Sequence, residues 1–234
     1  MPSIRTYLFD LDGTLTDARR GLHSSFRAAV AELGIPELTD RQLDRFLGTP
    51  LPEMFRTLRP QVSEADIERG MKAFRAAYEA DGIRQNHLYP GIPEVLAALR
   101  RRRLGAWVVT SKPQHYAVQV VRHLGIDPHL DGVVGADLTE TDTKAELIAR
   151  VLDAAKTDGR SALMLGDRHY DVIGARENNV LPVGALWGYG SREEMEEVGC
   201  RHFVNTADEF RERFIDADAE PQSAERKQRR PAGG

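Results

Sequence analysis

The chain has 234 residues, of which 41% are hydrophobic and 29% are charged, a balance typical of globular rather than disordered or collagen-like proteins. Its net charge of −4 argues against a nucleic-acid partner, since proteins that neutralise phosphates carry a basic excess. It has no apolar run long enough to span a bilayer, no recognisable secretory leader and a single cysteine, Cys200. We therefore expect a cytoplasmic protein without membrane association or an intrachain disulfide.

The first predicted element is a strand over residues 4–9, which is rich in β-branched and aromatic residues and leads into Asp10. Apolar residues then recur at helical spacing through residues 18–33 and 63–79, and Thr39 with Gln42 forms a capping-box pattern for a short helix. Residues 46–50 separate two predicted helices, either as a specificity loop that faces a functional site or as a plain turn. We therefore predict that residues 16–86 are almost wholly helical and contain no strand.

From about residue 87 the pattern changes to strands that alternate with helices. Strands are predicted at 106–110, 132–135, 161–165 and 181–186, and helices at 93–103, 113–124, 144–155 and 171–178. This alternation is typical of βαβ units and predicts an α/β fold with a parallel sheet. The first strand belongs to that sheet, so we predict a core domain of residues 1–15 and 87–216 with a helical domain inserted at 16–86. Residues 217–234, rich in Ala, Glu, Gln, Pro and Gly, are predicted to be disordered.

Four clusters of polar residues lie at or near the carboxyl ends of predicted strands. They are Asp10 and Asp12 with Gly13, then Thr110 with Ser111 and Lys112, then Lys144, and finally Asp167 with Asp171. Because ligands of open α/β sheets bind at the carboxyl ends of the strands, these clusters are expected to converge. Each cluster alone has an ordinary explanation as a turn, a helix cap or a surface lysine. Their combination in this order predicts a catalytic site.

With these motifs the chain resembles the haloacid dehalogenase (HAD) superfamily over about residues 4–215. The matching segments are Asp10-Leu11-Asp12-Gly13-Thr14-Leu15, Thr110-Ser111, Lys144 and Gly166-Asp167 through Asp171. With Thr16-Asp17, Lys112-Pro113 and Gly188-Tyr189-Gly190, the chain looks most like the phosphoglycolate phosphatase-type group and the related 5′-nucleotidase-like members. This resemblance implies a doubly wound parallel sheet, a HAD-like Rossmannoid core, with an inserted α-helical cap.

The resemblance also implies phosphoryl transfer through a covalent aspartyl phosphate, which divides hydrolysis into two easier displacements. Asp10 is the predicted nucleophile, and Asp12 is the predicted general acid and base. Thr110 and Lys144 are predicted to stabilise the charge of the transferring group. The residues predicted to bind substrate are Ser111, Lys112 and Gly13.

Mg²⁺ is the predicted cofactor, because hard oxygen ligands favour it. The predicted ligands are Asp10, the main-chain carbonyl of Asp12, and Asp167. Asp171 is predicted to orient ligand waters or Lys144 from behind these ligands.

These residues predict a Mg²⁺-dependent phosphatase that acts on a small phosphomonoester of the phosphoglycolate, nucleotide or sugar phosphate type. Within the superfamily, dehalogenases lack an acid at the position of Asp12, so Asp12 argues against that activity. Phosphonatase-like members need a Schiff-base lysine from the cap. Lys72, the only lysine of the insertion, lies within an amphipathic helix, which argues against this alternative. A phosphosugar mutase shares the catalytic acids, and a non-catalytic regulatory protein is a further alternative. The sequence leaves the physiological substrate and the oligomeric state open.

Overall fold

The computed structural model describes residues 4–138 and 142–217; apart from residue 217, the tail predicted to be disordered lies outside the described residues. The strands are β1 (Thr6–Phe9), β2 (Thr16–Asp17), β3 (His87–Leu88), β4 (Gly105–Pro113), β5 (Gly132–Ala136), β6 (Ala162–Gly166), β7 (Leu181–Ala185) and β8 (Phe203–Val204). The helices are α1 (Arg19–Glu32), α2 (Asp40–Asp44), α3 (Leu51–Leu58), α4 (Glu64–Ala80), α5 (Ile92–Arg102), α6 (Gln114–His123), α7 (Lys144–Ala155), α8 (His169–Glu177), α9 (Arg192–Glu197) and α10 (Ala207–Arg211). Short 3₁₀ turns lie at Gly82–Gln85, Asp127–His129 and Gly159–Ser161, and a π-helical turn at Glu212–Asp216.

Six of the strands form one parallel sheet in the order β5-β4-β1-β6-β7-β8. The chain winds outward from β1 through β4 and β5, then crosses to the other side of β1 and continues through β6 to β8. This reversal leaves a crevice at the carboxyl end of β1, where open α/β sheets bind their ligands. The predicted doubly wound α/β fold is therefore confirmed.

The sheet is buried on both faces, which explains why its strands read as nearly continuous apolar runs. Successive residues of β1 point to opposite faces, so Leu8 packs into one core cluster with Leu147 and Ile148 of α7. Tyr7 and Phe9 pack into the other cluster, where both contact Phe210 of α10 at ring-centroid distances of 6.2 and 6.0 Å. The position of β1 between two helical layers fixes Asp10, the next residue, at the centre of the crevice.

The helical insertion comprises α1 to α4, between β2 and β3. Helices α2 and α4 begin where the sequence predicts, because Thr39 forms a capping box with Gln42 and Ser63 accepts a hydrogen bond from the Asp66 amide at 3.1 Å. Helices α1 and α4 pack through Phe26 and Phe74, whose ring centroids lie 5.3 Å apart.

The expectation that residues 16–86 contain no strand is wrong at the first two residues of this range. Thr16 pairs with Leu88 and Asp17 with His87 in a short antiparallel ribbon, β2–β3. Two residues are too few to show a period-2 pattern, and the partner strand lies beyond the insertion, so local sequence does not reveal this pairing.

Other differences concern boundaries. β4 continues to Pro113 with a register shift after Thr110, and α6 therefore begins at Gln114. α8 begins two residues earlier than predicted, at His169. Helices α9 and α10 and strand β8 are not among the predicted elements. Among the described residues, no helix combines the length and the apolar character that a membrane span requires.

Candidate active site

Lys144 joins two of the predicted acids. It is the first residue of α7, whose N-terminus is fixed by a capping box between Thr143 and Glu146. Its Nζ lies 2.9 Å from Asp10 Oδ1, 2.9 Å from Asp171 Oδ1 and 3.2 Å from the carbonyl oxygen of Val109. Burial alone would lower the pKa of Lys144, but the two carboxylates raise it above its ordinary value, so the side chain is a cation. The structure thus brings Asp10, Lys144 and Asp171 together.

Asp167 completes a cluster of carboxylates beneath Asp10. Its side chain follows β6 and is fully buried, and it accepts hydrogen bonds from the Thr14 hydroxyl at 3.0 Å and the Tyr189 amide at 2.8 Å. Burial, together with the nearby charges of Asp10 and Asp171, raises the pKa of Asp167 to about 8. A carboxylate oxygen from each of these three acids lies within 4.8 Å of the other two.

This cluster fits a divalent cation with a preference for hard oxygen ligands. Among the described residues, one cation, Lys144, forms ion pairs with this cluster, through Asp10 and Asp171, so the protein does not neutralise the summed charge of the three buried carboxylates. Mg²⁺ binds through one or two carboxylates and keeps several waters, which matches this donor set. Asp171, predicted to stand behind the ligands, also lies within 4.8 Å of both Asp10 and Asp167.

Glycine is required at Gly13 because the loop after Asp12 turns with a φ of +89°. A Cβ atom at this position would lie 2.3 Å from Asp167 Oδ2, and one at Gly188 would lie 2.2 Å from Asp167 Cβ. The two glycines therefore let backbone from two loops close around the Asp167 carboxylate. The structure places Gly13, predicted to bind substrate, directly against this acid.

Asp12 and Lys112 form a second, partly buried ion pair near the end of β4. The Lys112 ammonium donates a hydrogen bond to Asp12 Oδ2 and lies 4.5 Å from the ring centroid of Tyr78, a residue of α4. Burial would lower the pKa of Lys112, but the Asp12 carboxylate and Tyr78 raise it above its ordinary value. The predicted acid–base residue is thus held by the predicted substrate-binding lysine, which also contacts the helical insertion.

The two predicted hydroxyl residues lie beside this pair. Thr110 is buried, and its hydroxyl oxygen accepts a hydrogen bond from the Lys112 amide at 3.2 Å. Ser111 is half-buried and faces the same cavity as Asp10 and Asp12. The sequence-predicted catalytic residues therefore lie together at one edge of the sheet.

A cavity of about 440 Å³ lies over these residues and is closed on its far side by the helical insertion. We refer to it as the active-site cavity. Its floor includes Asp10, Asp12, Thr110 and Lys144, and its roof includes Phe26, Phe74 and residues 48–51. The loop at residues 46–50 faces the site rather than forming a plain turn away from it, since Gly48, Thr49 and Pro50 line this cavity.

The structure adds two residues, Tyr189 and Arg168, whose contacts the sequence does not reveal. Tyr189 donates its amide to Asp167, and its hydroxyl accepts a hydrogen bond at 2.9 Å from the amide of Ala18, next to α1. Arg168 forms an ion pair with Glu194 at 2.7 Å and donates a hydrogen bond to the carbonyl of Leu47 in the insertion. The sequence signal for Tyr189 was the Gly188-Tyr189-Gly190 motif, but its partners are distant in the chain.

The sequence model of the haloacid dehalogenase-like hydrolase family matches residues 7–185, which is more than half of the chain. The chain belongs to this family. A 5′-nucleotidase of Pseudomonas aeruginosa is 38% identical over 84% of this chain and 89% of its own length. The tyrosine-protein kinase PtkA of Mycobacterium tuberculosis is 35% identical over 88% of this chain and 70% of its own.

Among solved structures, a predicted phosphatase from Clostridium acetobutylicum superimposes with a TM-score of 0.85. It is 32% identical and covers 92% of this chain and 100% of that chain. These findings confirm three predictions: the superfamily, the α/β fold with its helical insertion, and the enzyme class, which is a phosphoric monoester hydrolase.

Proposed function

We propose that this HAD-like enzyme is a Mg²⁺-dependent phosphatase that hydrolyses a small phosphomonoester through an aspartyl phosphate on Asp10. The observation that carries the proposal is the convergence of Asp10, Asp12 and Lys144 in one cavity, with the buried carboxylates of Asp167 and Asp171 close to Asp10. The proposed substrate class is the phosphoglycolate, nucleotide or sugar phosphate type.

In the first displacement, a carboxylate oxygen of Asp10 attacks phosphorus while the bond from phosphorus to the leaving alcohol breaks. Asp12 gives a proton to the departing oxygen and, in the second displacement, takes a proton from the water that attacks the aspartyl phosphate. Lys144 holds Asp10 in place through its 2.9 Å contact and, with Thr110 and the amide of Ser111, stabilises charge on the phosphoryl oxygens. Lys112 keeps the Asp12 carboxylate in the wall of the cavity.

Asp10, Asp167 and the main-chain carbonyl of Asp12 are the proposed Mg²⁺ ligands, with Asp171 beside them. When bound, Mg²⁺ would supply positive charge that neutralises the phosphate and the carboxylates.

The proposal is tested by incubating the enzyme and Mg²⁺ with a panel of phosphometabolites and ranking them by kcat/KM from the release of inorganic phosphate. Release of phosphate supports a phosphatase. Isomerisation of a sugar phosphate without net release would instead support the mutase. Binding without any turnover would support the regulatory alternative.

We also propose that residues 1–15 and 87–216 are the catalytic core domain and that residues 16–86 are the cap that selects the substrate. The β2–β3 ribbon at the ends of the insertion and the insertion residues that line the active-site cavity support this division. A cytoplasmic location is proposed as well, and the free thiol of buried Cys200 agrees with a reducing compartment.

Replacement of Asp12 by asparagine is expected to lower kcat by about 10²- to 10⁴-fold, the usual contribution of general acid–base catalysis. With p-nitrophenyl phosphate, whose leaving group needs little protonation, formation of the aspartyl phosphate should be less affected than its hydrolysis. Rapid-quench kinetics measure the two steps separately. The matched control is Asp17→Asn in β2, where an amide oxygen can still accept the hydrogen bond from the Arg19 amide. Equal slowing of both steps by Asp12→Asn would contradict the assignment.

Asp167 is expected to make the metal-free protein less stable as pH rises. The pKa of its carboxyl is 3.8 without the fold and about 8 within it. Between these values the folded state keeps a proton that the unfolded state has released, so the free energy of unfolding falls from about pH 4 to about pH 8. The variant Asp167→Asn has no carboxyl group at this position and therefore releases no proton there on unfolding. Thermal denaturation in EDTA should therefore show the Tm of the variant rising relative to wild type across that pH range.

The change of this Tm difference with pH is the readout, because the amide also alters the hydrogen bonds from Thr14 and Tyr189. Mg²⁺ should stabilise wild type more at pH 8 than at pH 5, since metal ligands bind in their deprotonated form. Asp131→Asn, at the opposite end of the sheet, should follow wild type. A Tm difference that is constant with pH would contradict the raised pKa.

A further inference from the structure

The active-site cavity is larger and more apolar than recognition of a phosphate group requires. Its volume of about 440 Å³ is in the range of sites that hold whole small molecules, whereas a two-carbon phosphoester would leave much of it unfilled. Its upper wall is apolar and comes from Leu22 and Phe26 of α1 with Phe74 and Tyr78 of α4. This wall favours a leaving alcohol with an apolar body, which would bury against it.

The cations of the core that line the cavity already face carboxylates. Lys144 pairs with Asp10 and Asp171, Lys112 with Asp12. Arg168 pairs with Glu194 at 2.7 Å. Each of these three side chains is therefore already paired with a carboxylate of the protein, and none of the three is available to pair with a second anionic group on the substrate.

Arg75 differs from these three cations. It lies on α4 between Phe74 and Tyr78 and lines the same cavity. Within residues 4–138 and 142–217 it has no carboxylate at ion-pair distance, and the contact found for its guanidinium is a hydrogen bond from Nη2 to the carbonyl of Leu138. Its Nε is buried and, within the same ranges, has no hydrogen-bond partner. A buried donor without a partner is unfavourable, so a ligand acceptor at this position would be stabilising.

We propose that Arg75 binds a second, anionic group of the substrate, and that the substrate is a phosphomonoester whose alcohol has an apolar body between its phosphate and that group. The inference rests on the phosphatase function proposed above and specifies its substrate class. The phosphate occupies the floor at Asp10 and Lys144, the apolar body packs under Phe26 and Phe74, and the distal anion accepts charge-assisted hydrogen bonds from the guanidinium. Phosphoglycolate has no apolar body and is expected to be a poor substrate.

The test uses probes that differ in one property. 4-Carboxyphenyl phosphate carries the distal anion, 4-carbamoylphenyl phosphate has nearly the same shape without the charge, and phosphoglycolate has an anion without an apolar body. We expect wild type to favour the carboxylate over the amide by about 10- to 100-fold in kcat/KM, mainly through KM, as a charge-assisted hydrogen bond would give. Arg75→Met should reduce this ratio to about 1, and Arg75→Lys should retain part of it.

The matched control is Lys72→Met on the same helix, since Lys72 is exposed. It should keep the wild-type ratio and the wild-type kcat/KM. If Arg75→Met lowers kcat/KM for both aryl phosphates equally, Arg75 supports the fold and the inference is wrong. If phosphoglycolate is preferred to 4-carboxyphenyl phosphate, the apolar-body requirement is wrong. Failure of the proposed function is distinguishable, because wild type and Lys72→Met would then release phosphate from none of the probes.

Discussion

Replacement of Asp10 by asparagine is expected to reduce kcat/KM by at least about 1,000-fold for any phosphomonoester that the enzyme hydrolyses, since loss of a covalent nucleophile removes most of the rate enhancement. An amide is a weak nucleophile, and it is also a poorer ligand for a divalent cation. The fold should persist, because Lys144 keeps its contact with Asp171 at 2.9 Å and Asp167 loses one repulsive neighbour. Release of inorganic phosphate and circular dichroism measure the two properties.

The matched control for this variant is Asp131→Asn. Asp131 lies at the amino end of the sheet, where its carboxylate accepts a hydrogen bond from the Ala106 amide at 3.0 Å, far from the carboxyl ends that form the site. This variant should keep wild-type turnover. Retention of more than about 1% of wild-type activity by Asp10→Asn would show that another group attacks phosphorus.

Replacement of Lys144 by methionine is expected to impair both activity and stability. The variant leaves the buried carboxylates of Asp10 and Asp171 without their cation, next to Asp167, and removal of one partner from a buried ion pair is destabilising by about 3–5 kcal/mol. It also removes a cation that stabilises the transferring phosphoryl group, so kcat/KM should fall by about 10²- to 10³-fold. Urea denaturation and steady-state kinetics measure the two effects.

Mg²⁺ should recover part of the stability of Lys144→Met, because it neutralises the same carboxylates, but it should not restore kcat/KM. The matched control is Lys156→Met, at the other end of the same helix, where the side chain is exposed. It should resemble wild type in both measurements. Equal stability of Lys144→Met and wild type in EDTA would mean that the lysine does not compensate the charge of the carboxylates.

The parts of the site that are predictable from sequence depend on local patterns. Asp10 and Asp167 each follow an apolar strand, and Thr110 lies near the end of another. Parallel strands place their carboxyl ends at one edge, so the convergence of these residues follows from the topology. Lys144 is predictable in the same way, because the Thr143–Glu146 capping box fixes the first turn of its helix.

The remaining features depend on partners that are distant in the chain. The hydroxyl of Tyr189 bonds to the amide of Ala18, and Arg168 bonds to the carbonyl of Leu47; backbone partners of this kind leave no pattern in the sequence. The apolar spacing of α4 likewise predicts that Phe74 and Tyr78 face inward, but not that Arg75 between them lacks a carboxylate among the described residues. Such properties are set by packing between elements, which one sequence does not encode locally.

The short ribbon of β2 and β3 has a consequence for how this enzyme can change over evolution. Because Thr16 pairs with Leu88, the chain enters and leaves the helical insertion at adjacent points. An exchange of genetic material between these two points would replace the whole roof of the cavity as one module, while β1 and the acids that follow it stay intact. Recombination can therefore supply a new specificity in one step, without repeating the selection that assembled the catalytic floor.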